Sequence, residues 1–248
     1  MEVFGSAPHV VITGAAGATG RAIAQLFFDQ GASLCLVDIL EEELSHVAAR
    51  FGDRAISVVA DIAKSDSADR IVSQVSNRLG PVDVLVNNAG VLSNNKAADT
   101  NDAEWQRVLG VNLNGAFFLS RAVLPMMRAR RSGRIINICS LAMKTGGLTA
   151  GTAYAASKGG LASLTYSLAR ECAAEGITVN GVAPAYVRSP MVTEQLTDRQ
   201  RKTLLSQIPV GRFCEPAEVA HLVAFLASDH AGFITGEIID INGGLHMD

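Results

Sequence analysis

Thr13-Gly14-Ala15-Ala16-Gly17-Ala18-Thr19-Gly20 stands between an apolar run at residues 9–13 and a stretch at 21–30 whose apolar residues Ile23, Leu26 and Phe27 share one helical face. That order reads as strand, tight turn and helix. Gly31 stops the helix, residues 33–38 read as a second strand, and 41–51 as a helix with three acidic residues in its first turn, where they complement the helix dipole. The opening is therefore a βαβ unit, and the alternation continues outward from it. A third strand at 55–60 is followed by a helix at 66–79 ended by Gly80-Pro81, and then by a fourth strand at 82–87. Residues 102–131 form a long helical stretch capped by Asn101 with Glu104, with Pro125 as its bend or break. A fifth strand at 134–139, a long helix at 152–175 ended by Gly176 and a sixth strand at 178–182 come next. Residues 184–209 carry no clean strand and are expected to hold short helices; 216–227 and 237–241 supply the last helix and a seventh strand.

Strands that read almost continuously apolar, as 82–86 and 135–138 do, belong to a sheet buried on both faces. The predicted fold is α/β: a Rossmann-type, doubly wound, three-layer arrangement with a seven-stranded parallel sheet and right-handed crossovers. No repeat, low-complexity segment or linker interrupts the chain, so residues 1–248 are expected to form one domain, and 48% hydrophobic content suffices for its core.

Charge and cysteine usage narrow the function. With 21 basic against 24 acidic residues the net charge is -3, and the one basic run, Arg128-Ala129-Arg130-Arg131, falls where a helix should end. Nucleic acid is not an expected partner. Cys35, Cys139, Cys172 and Cys214 form no CxxC pair, and His9, His46, His221, His230 and His246 are isolated, so no metal site is expected and a reducing cytoplasm fits. Met1-Glu2-Val3-Phe4 opens without a basic region and no stretch reaches the length of an apolar membrane span, so neither export nor membrane insertion is expected.

The glycine-rich turn presents free backbone amides at the positive end of a helix dipole, where a pyrophosphate is received; its plain alternative is a tight turn with no ligand. Asp38 ends the second predicted strand, close to the spacing at which a carboxylate accepts from the adenosine ribose hydroxyls and repels a 2′-phosphate. Ile39, Leu40 and Glu41 follow it with no compensating base, so NAD is expected over NADP; Arg21 is the one nearby objection. Asp61 after the third strand and Asn87-Asn88-Ala89-Gly90 after the fourth face the same sheet edge. Asp61 reads as an acceptor for the adenine amino group or as a helix cap, and the second segment as a close approach to adenosine or as an Asn-rich turn.

Tyr154 and Lys158 lie one helical turn apart and share a face, which sets an ammonium near a phenol. A phenol titrating near 10 is a poor base at neutral pH, and an adjacent cation stabilises its phenolate. Ser140 at the end of the fifth strand offers a hydrogen bond to a substrate oxygen. Asn112 sits in a helix without a propensity reason and is a candidate holder of a water that joins Lys158 to solvent.

On these residues the chain resembles the classical short-chain dehydrogenase/reductase family over nearly its whole length. The resemblance rests on 13–20, Asp61, Asn87-Asn88-Ala89-Gly90, Asn112, Ser140, Tyr154-Ala155-Ala156-Ser157-Lys158, Asn180 with Pro184, and Asn242-Gly243-Gly244. It implies a NAD-dependent interconversion of a secondary alcohol and its ketone. Tyr154 would be the general acid/base, Ser140 the substrate orienter, Lys158 the ribose binder and phenol activator, and Asn112 the water holder. Cofactor contacts would come from Gly14, Gly17, Ala18, Thr19, Gly20, Asp38, Asp61, Ile62, Asn88, Ala89, Gly90, Tyr154, Lys158 and Pro184, with Val187 and Ser189 on the nicotinamide carboxamide. The family also implies a tetramer built on the two long helices and a segment, about 185–212, that covers cofactor and substrate.

Ala18 replaces the family's central glycine, and Pro184-Ala185 its Pro-Gly; alanine at either is costly if positive φ is required there. Pro209-Val210-Gly211-Arg212-Phe213 resembles the reductases of acyl-carrier-protein thioesters but is shared with polyol and sugar dehydrogenases. Polar candidates for the pocket, Ser93, Asn94, Asn95, Met143, Lys144, Gly147, Arg188 and Thr193, favour a small polyol, sugar or related hydroxy compound. The alternatives are a 3-oxoacyl thioester reductase and, in another class, a catalytically silent nucleotide-binding interaction protein.

Overall fold

A computed structural model describes residues 7–189 and 197–247. Met1 to Phe4 and Thr193 lie outside the described residues. Seven strands form one parallel sheet in the order β3-β2-β1-β4-β5-β6-β7, with β1 His9–Thr13, β2 Ser33–Asp38, β3 Ala55–Val59, β4 Val84–Asn87, β5 Gly133–Ile138, β6 Ile177–Pro184 and β7 Ile238–Ile241. The helices are α1 Ala18–Asp29, α2 Glu41–Ala48, α3 Ser65–Arg78, α4 Asp102–Leu109, α5 Gly115–Arg130, α6 Ala142–Thr145, α7 Thr152–Cys172, α8 Asp198–Gln207 and α9 Pro216–Ala227. The Rossmann-type, three-layer expectation is met.

Alternation along the strands builds two cores. Val10 and Ile12 join Leu34, Leu36, Val84 and Val86 under α1, α2 and α9, while Val11 joins Cys35, Val37, Leu85 and Ile135 under α3, α5 and α7. With both faces covered, every second residue is still apolar, which is why the strands read as unbroken apolar runs. The sheet order reverses between β1 and β4, and the glycine-rich turn leaves β1 at that switch point, where the carboxyl ends of neighbouring strands diverge and open a crevice.

The long helix differs from its predicted form. It runs continuously from Asp102 to Arg130, and Pro125, which is exposed, does not break it. The irregularity is a π-helical turn, Gly110–Asn114, between α4 and α5. Glycines bring this turn close to the loop after β3: a Cβ on Gly115 would stand 2.7 Å from Ile62 Cδ1, and one on Gly110 3.3 Å from Ala63 Cβ. The Asn101 cap is present, its side chain accepting from the Glu104 amide at 2.9 Å, but Glu104 does not reach back to complete a capping box. By length and hydropathy alone Asp102–Arg130 could cross a membrane; 50% of its apolar window is buried inside this fold.

β6 extends to Pro184, past its predicted end, because Pro184 still pairs with Ile241 of β7. The small residues of α7 serve packing within the chain: Ala153 is buried, and a Cβ on Gly160 would meet Leu113 of the π-helical turn at 2.8 Å.

Candidate active site

Gly14 adopts φ +65, and a Cβ there would lie 2.8 Å from Ala89 Cα, so glycine lets the turn after β1 touch the segment after β4. Side chains lock that contact. Thr13 Oγ1 accepts from the amides of Asn88 and Ala89, both at 3.0 Å, and Asn88 Nδ2 donates to the carbonyls of Thr13 at 2.8 Å and Gly14 at 3.1 Å. Asn88 and Ala89 thus hold the shape of the turn, a role the sequence left open between turn and ligand contact; Thr13, unremarked in its own right, is the hydroxyl that makes it possible. Gly20 is held by packing as well, since its Cβ would fall 2.2 Å from the Gly14 carbonyl oxygen.

Ala18 is the first residue of α1, and Arg131 is the one non-glycine with positive φ among the described residues, so neither Ala18 nor Ala185 is strained. The feared cost of both alanines is absent. No side chain caps α1 and no acid stands in its first turn. The first amides of α1 are thus free of a side-chain cap, as an anion site at a helix N-terminus requires, and the carboxylate on the turn, Asp38, is taken up by Ala16 just before the helix. A Cβ on Gly17 would meet nothing nearer than the Gly14 carbonyl at 3.4 Å, which leaves open space beside the turn.

Asp38 closes this end. Its Oδ2 accepts from the Ala16 amide at 2.9 Å, and Oδ1 from the amides of Ile39 at 2.8 Å and Leu40 at 3.2 Å. Arg21 is held by donating Nε to the Ala16 carbonyl at 2.6 Å, so it lies along the turn rather than swinging freely in solvent. Asp61 accepts from the Ala63 amide at 3.0 Å in a turn of its own loop and does not cap the helix that starts at Ser65, whose N-cap is Lys64; Ile62 is buried with its side chain packed toward Gly115.

At the other end, β5 delivers Ser140 and α7 delivers Tyr154 and Lys158. Ser140 Oγ accepts from the Ala142 amide at 3.2 Å and hydrogen-bonds Tyr154. Lys158 is buried, donates Nζ to the Ile138 carbonyl at 2.7 Å and lies 5.8 Å from the Tyr154 ring centroid. The predicted pairing is present, yet burial pushes the Tyr154 phenol above its ordinary value, and it is the Ser140 hydrogen bond that draws it back. Burial also brings the Lys158 ammonium down to about 8. Asn112, in the π-helical turn, is buried; its Oδ1 accepts from the Val91 amide at 2.8 Å and its Nδ2 donates to the Val91 carbonyl at 3.1 Å and to Ser157 Oγ at 3.0 Å. Its side chain positions Val91. Gly90 lies between, where a Cβ would come 3.4 Å from Asn112 Oδ1 and 3.5 Å from Lys158 Nζ.

Two cavities meet at Ser140, Tyr154 and Ala185. The smaller, about 200 Å³, is bounded by Thr19, Gly90, Lys158, Pro184, Val187 and Ser189, which joins the α1 end to the reacting end as a dinucleotide needs. The larger, about 860 Å³, is walled by Leu92, Leu141, Leu148, Ala150 and Leu204, with Tyr186 and Arg199. Of the polar pocket residues expected from sequence, Asn94 and Gly147 line it. The others are engaged elsewhere: Ser93 and Asn95 bond Glu104, Lys144 pairs with Asp240, Arg188 pairs with Glu215, and Met143 packs in a core cluster. The cleft joins an apolar wall to the polar Asn94, Thr145, Thr149, Arg199, Thr203 and Gln207, most of them not among the residues expected from sequence. No sequence spacing pointed to Leu92, Leu148 or Leu204, because they come from three separate loops and helices.

A family model described as enoyl-(acyl carrier protein) reductase matches residues 14–246. A 3-oxoacyl-[acyl-carrier-protein] reductase of Haemophilus influenzae is 40% identical over 237 residues, covering 96% of this chain and 97% of that protein. A nodulation protein G of a Rhizobium species is 41% identical over 237 residues, 96% of each. A crystal structure from Brucella melitensis, described as a short-chain dehydrogenase/reductase and glucose/ribitol dehydrogenase, superposes with a TM-score of 0.91 at 39% identity and covers 97% of both chains. With the uncapped dinucleotide turn at one end of the crevice and the serine, tyrosine and lysine at the other, the chain belongs to the short-chain dehydrogenase/reductase family and is a NAD-dependent oxidoreductase acting on a small alcohol or ketone.

Proposed function

We propose that the chain reduces the 3-oxo group of an acyl thioester. The 860 Å³ cleft carries this reading: four leucines give it an apolar wall for an acyl chain, beside the polar Asn94, Thr145, Thr149, Arg199, Thr203 and Gln207. The reductase names of the full-length relatives support it, against the small-polyol reading that the loop polarity suggested.

The smaller cavity would take the nicotinamide half of the cofactor, with Lys158 toward its ribose and Val187 and Ser189 toward the carboxamide, while Gly17 and Asp38, outside that cavity, would hold the pyrophosphate and the adenosine ribose. When bound, a reduced nicotinamide would supply the hydride. Ser140 holds the substrate oxygen and Tyr154 gives it the phenolic proton, a transfer helped by a phenol kept protonated by burial. In the oxidative direction the phenol acts as base, and burial opposes the loss of proton which that role needs. Lys158 orients the cofactor and supplies charge beside the phenol; Asn112 positions Val91 at the cavity wall.

The same reading places the chain in the cytoplasm as a single-domain enzyme without nucleic-acid partners, assembled as a homotetramer. Exposed Phe117 on α5 and Tyr166 on α7 support self-association through the long helices.

Initial rates with acetoacetyl thioester and NADH, beside a polyol and sugar panel with NAD, test the substrate. The thioester is expected to give the higher kcat/KM by at least about tenfold, roughly 1.4 kcal/mol. A sugar or polyol that exceeds it would instead favour the activity in the description of the Brucella neighbour.

A further inference from the structure

Ser140 is carried on a short loop, and the loop's far end is tied across the sheet. Lys144, in the last turn of α6, donates Nζ to Asp240 Oδ2 on β7 at 2.7 Å. Both side chains are largely sheltered, 21% and 19% exposed, and the other Asp240 oxygen is buried with no hydrogen-bond partner. A carboxylate so placed depends on the lysine for compensation. At the near end, Leu141 donates its amide to the Pro184 carbonyl at 3.0 Å, Ala142 to Ser140 Oγ at 3.2 Å and Met143 to the Ser140 carbonyl at 3.1 Å. The four residues of α6 thus lie between two anchors, one on β6 and one on β7, with the Ser140 hydroxyl built into the first turn.

We propose that the Lys144–Asp240 ion pair is a positioning device for the reaction: it fixes α6 so that the Ser140 hydroxyl stays aimed at the substrate oxygen and at Tyr154. A four-residue helix is too short to hold itself by its own hydrogen bonds, so its orientation is set by what it is tied to. An untied α6 rotates about the Leu141–Pro184 contact, and the first group displaced is the hydroxyl that orients the reacting carbonyl. Neither Lys144 nor Asp240 touches the acyl or dinucleotide cavity walls beside Tyr154; Asp240 borders a separate cavity of about 400 Å³ on the far side of Ala185. Their effect on catalysis passes through Ser140.

The proposal rests on the reading of Ser140 as substrate orienter, and its test has a readout independent of substrate. Hydrogen exchange followed by mass spectrometry on the intact enzyme should show the 140–146 segment exchanging at least about tenfold faster in Asp240→Asn and Lys144→Met, with α7 unchanged. Lys144→Arg, which keeps the charge, should exchange like the wild type. With acetoacetyl thioester, Asp240→Asn and Lys144→Met should lose about tenfold in kcat or more, as small misplacements of an orienting group do, with the KM for NADH unchanged, and Lys144→Arg should retain activity within about twofold. Unaltered exchange in both charge-removing variants overturns the proposal whatever the substrate is. So does a kcat loss matched by an equal loss of NADH binding, the mark of general destabilisation. A wild-type enzyme inert on the thioester while the exchange difference persists would sink the substrate reading and leave the tether standing.

Discussion

Gly17 and Gly20 sit three residues apart in one turn and answer to different constraints. A Cβ on Gly20 would collide with the Gly14 carbonyl at 2.2 Å, whereas one on Gly17, where φ is -76, meets only an ordinary contact at 3.4 Å. Gly20→Ala should therefore destabilise the protein by several kcal/mol, as overpacking a closed site does, and Gly17→Ala should leave its unfolding midpoint unchanged while weakening NADH by about tenfold or more. Thermal melts beside NADH fluorescence titrations separate the two; equal effects on folding would remove Gly17 from the pyrophosphate. Tyr154→Phe should keep NADH affinity and lose about 10²- to 10⁴-fold in turnover, since it deletes a proton and little else. Asp38→Ser should raise relative use of NADP, with some loss of NAD affinity because Asp38 also holds the Ala16 amide of the turn. A wild-type preference for NADP in steady-state kinetics would overturn its assignment. Lys158 supplies a pH signature. Its folded value is about 8 against an ordinary 10.5, so the unfolded chain binds more protons between those limits, and stability must rise with pH across them. Urea unfolding at pH 7.5 and 9.5 should show the wild type gaining stability relative to Lys158→Met; a loss would mean the ammonium is better solvated than its buried site implies.

Among elements, the two helices flanking the site show how far local rules reach. Asn101 was legible as a cap because its side chain and the Glu104 amide are neighbours in sequence, and Asn101→Ala should cost about 1 kcal/mol, read as a lowered chemical-denaturation midpoint with kcat little changed. The partner half of that cap was not legible. Glu104 turns instead to Ser93 and Asn95, two residues of the loop after β4, and their hydrogen bonds hold its carboxyl below the usual range. The π-helical turn escaped notice for the same reason. Gly110 in the turn and Gly115 just after it let the helix lie against Ala63 and Ile62 of the loop after β3, contacts that periodicity along the helix does not encode.

For the whole molecule, exposed aromatic side chains on α5 and α7 lead to an expected assembly larger than the 26.0 kDa chain in sedimentation at micromolar concentration. A species of monomer mass would remove the long helices from any stable interface. The sequence by itself determined the parallel sheet, the crevice at its carboxyl edge and the meeting there of Ser140, Tyr154 and Lys158. Strand patterning has a period of two, the turn glycines are adjacent in the chain, and Tyr154 and Lys158 are one helical turn apart, so each signal is local. Only the tertiary structure decided what lines the cleft. Its leucines come from the loop after β4, the loop before α7 and α8, its expected polar residues turned to partners up to 96 positions away, and side-chain destinations over such separations are fixed by the packing of layers, which no local pattern encodes.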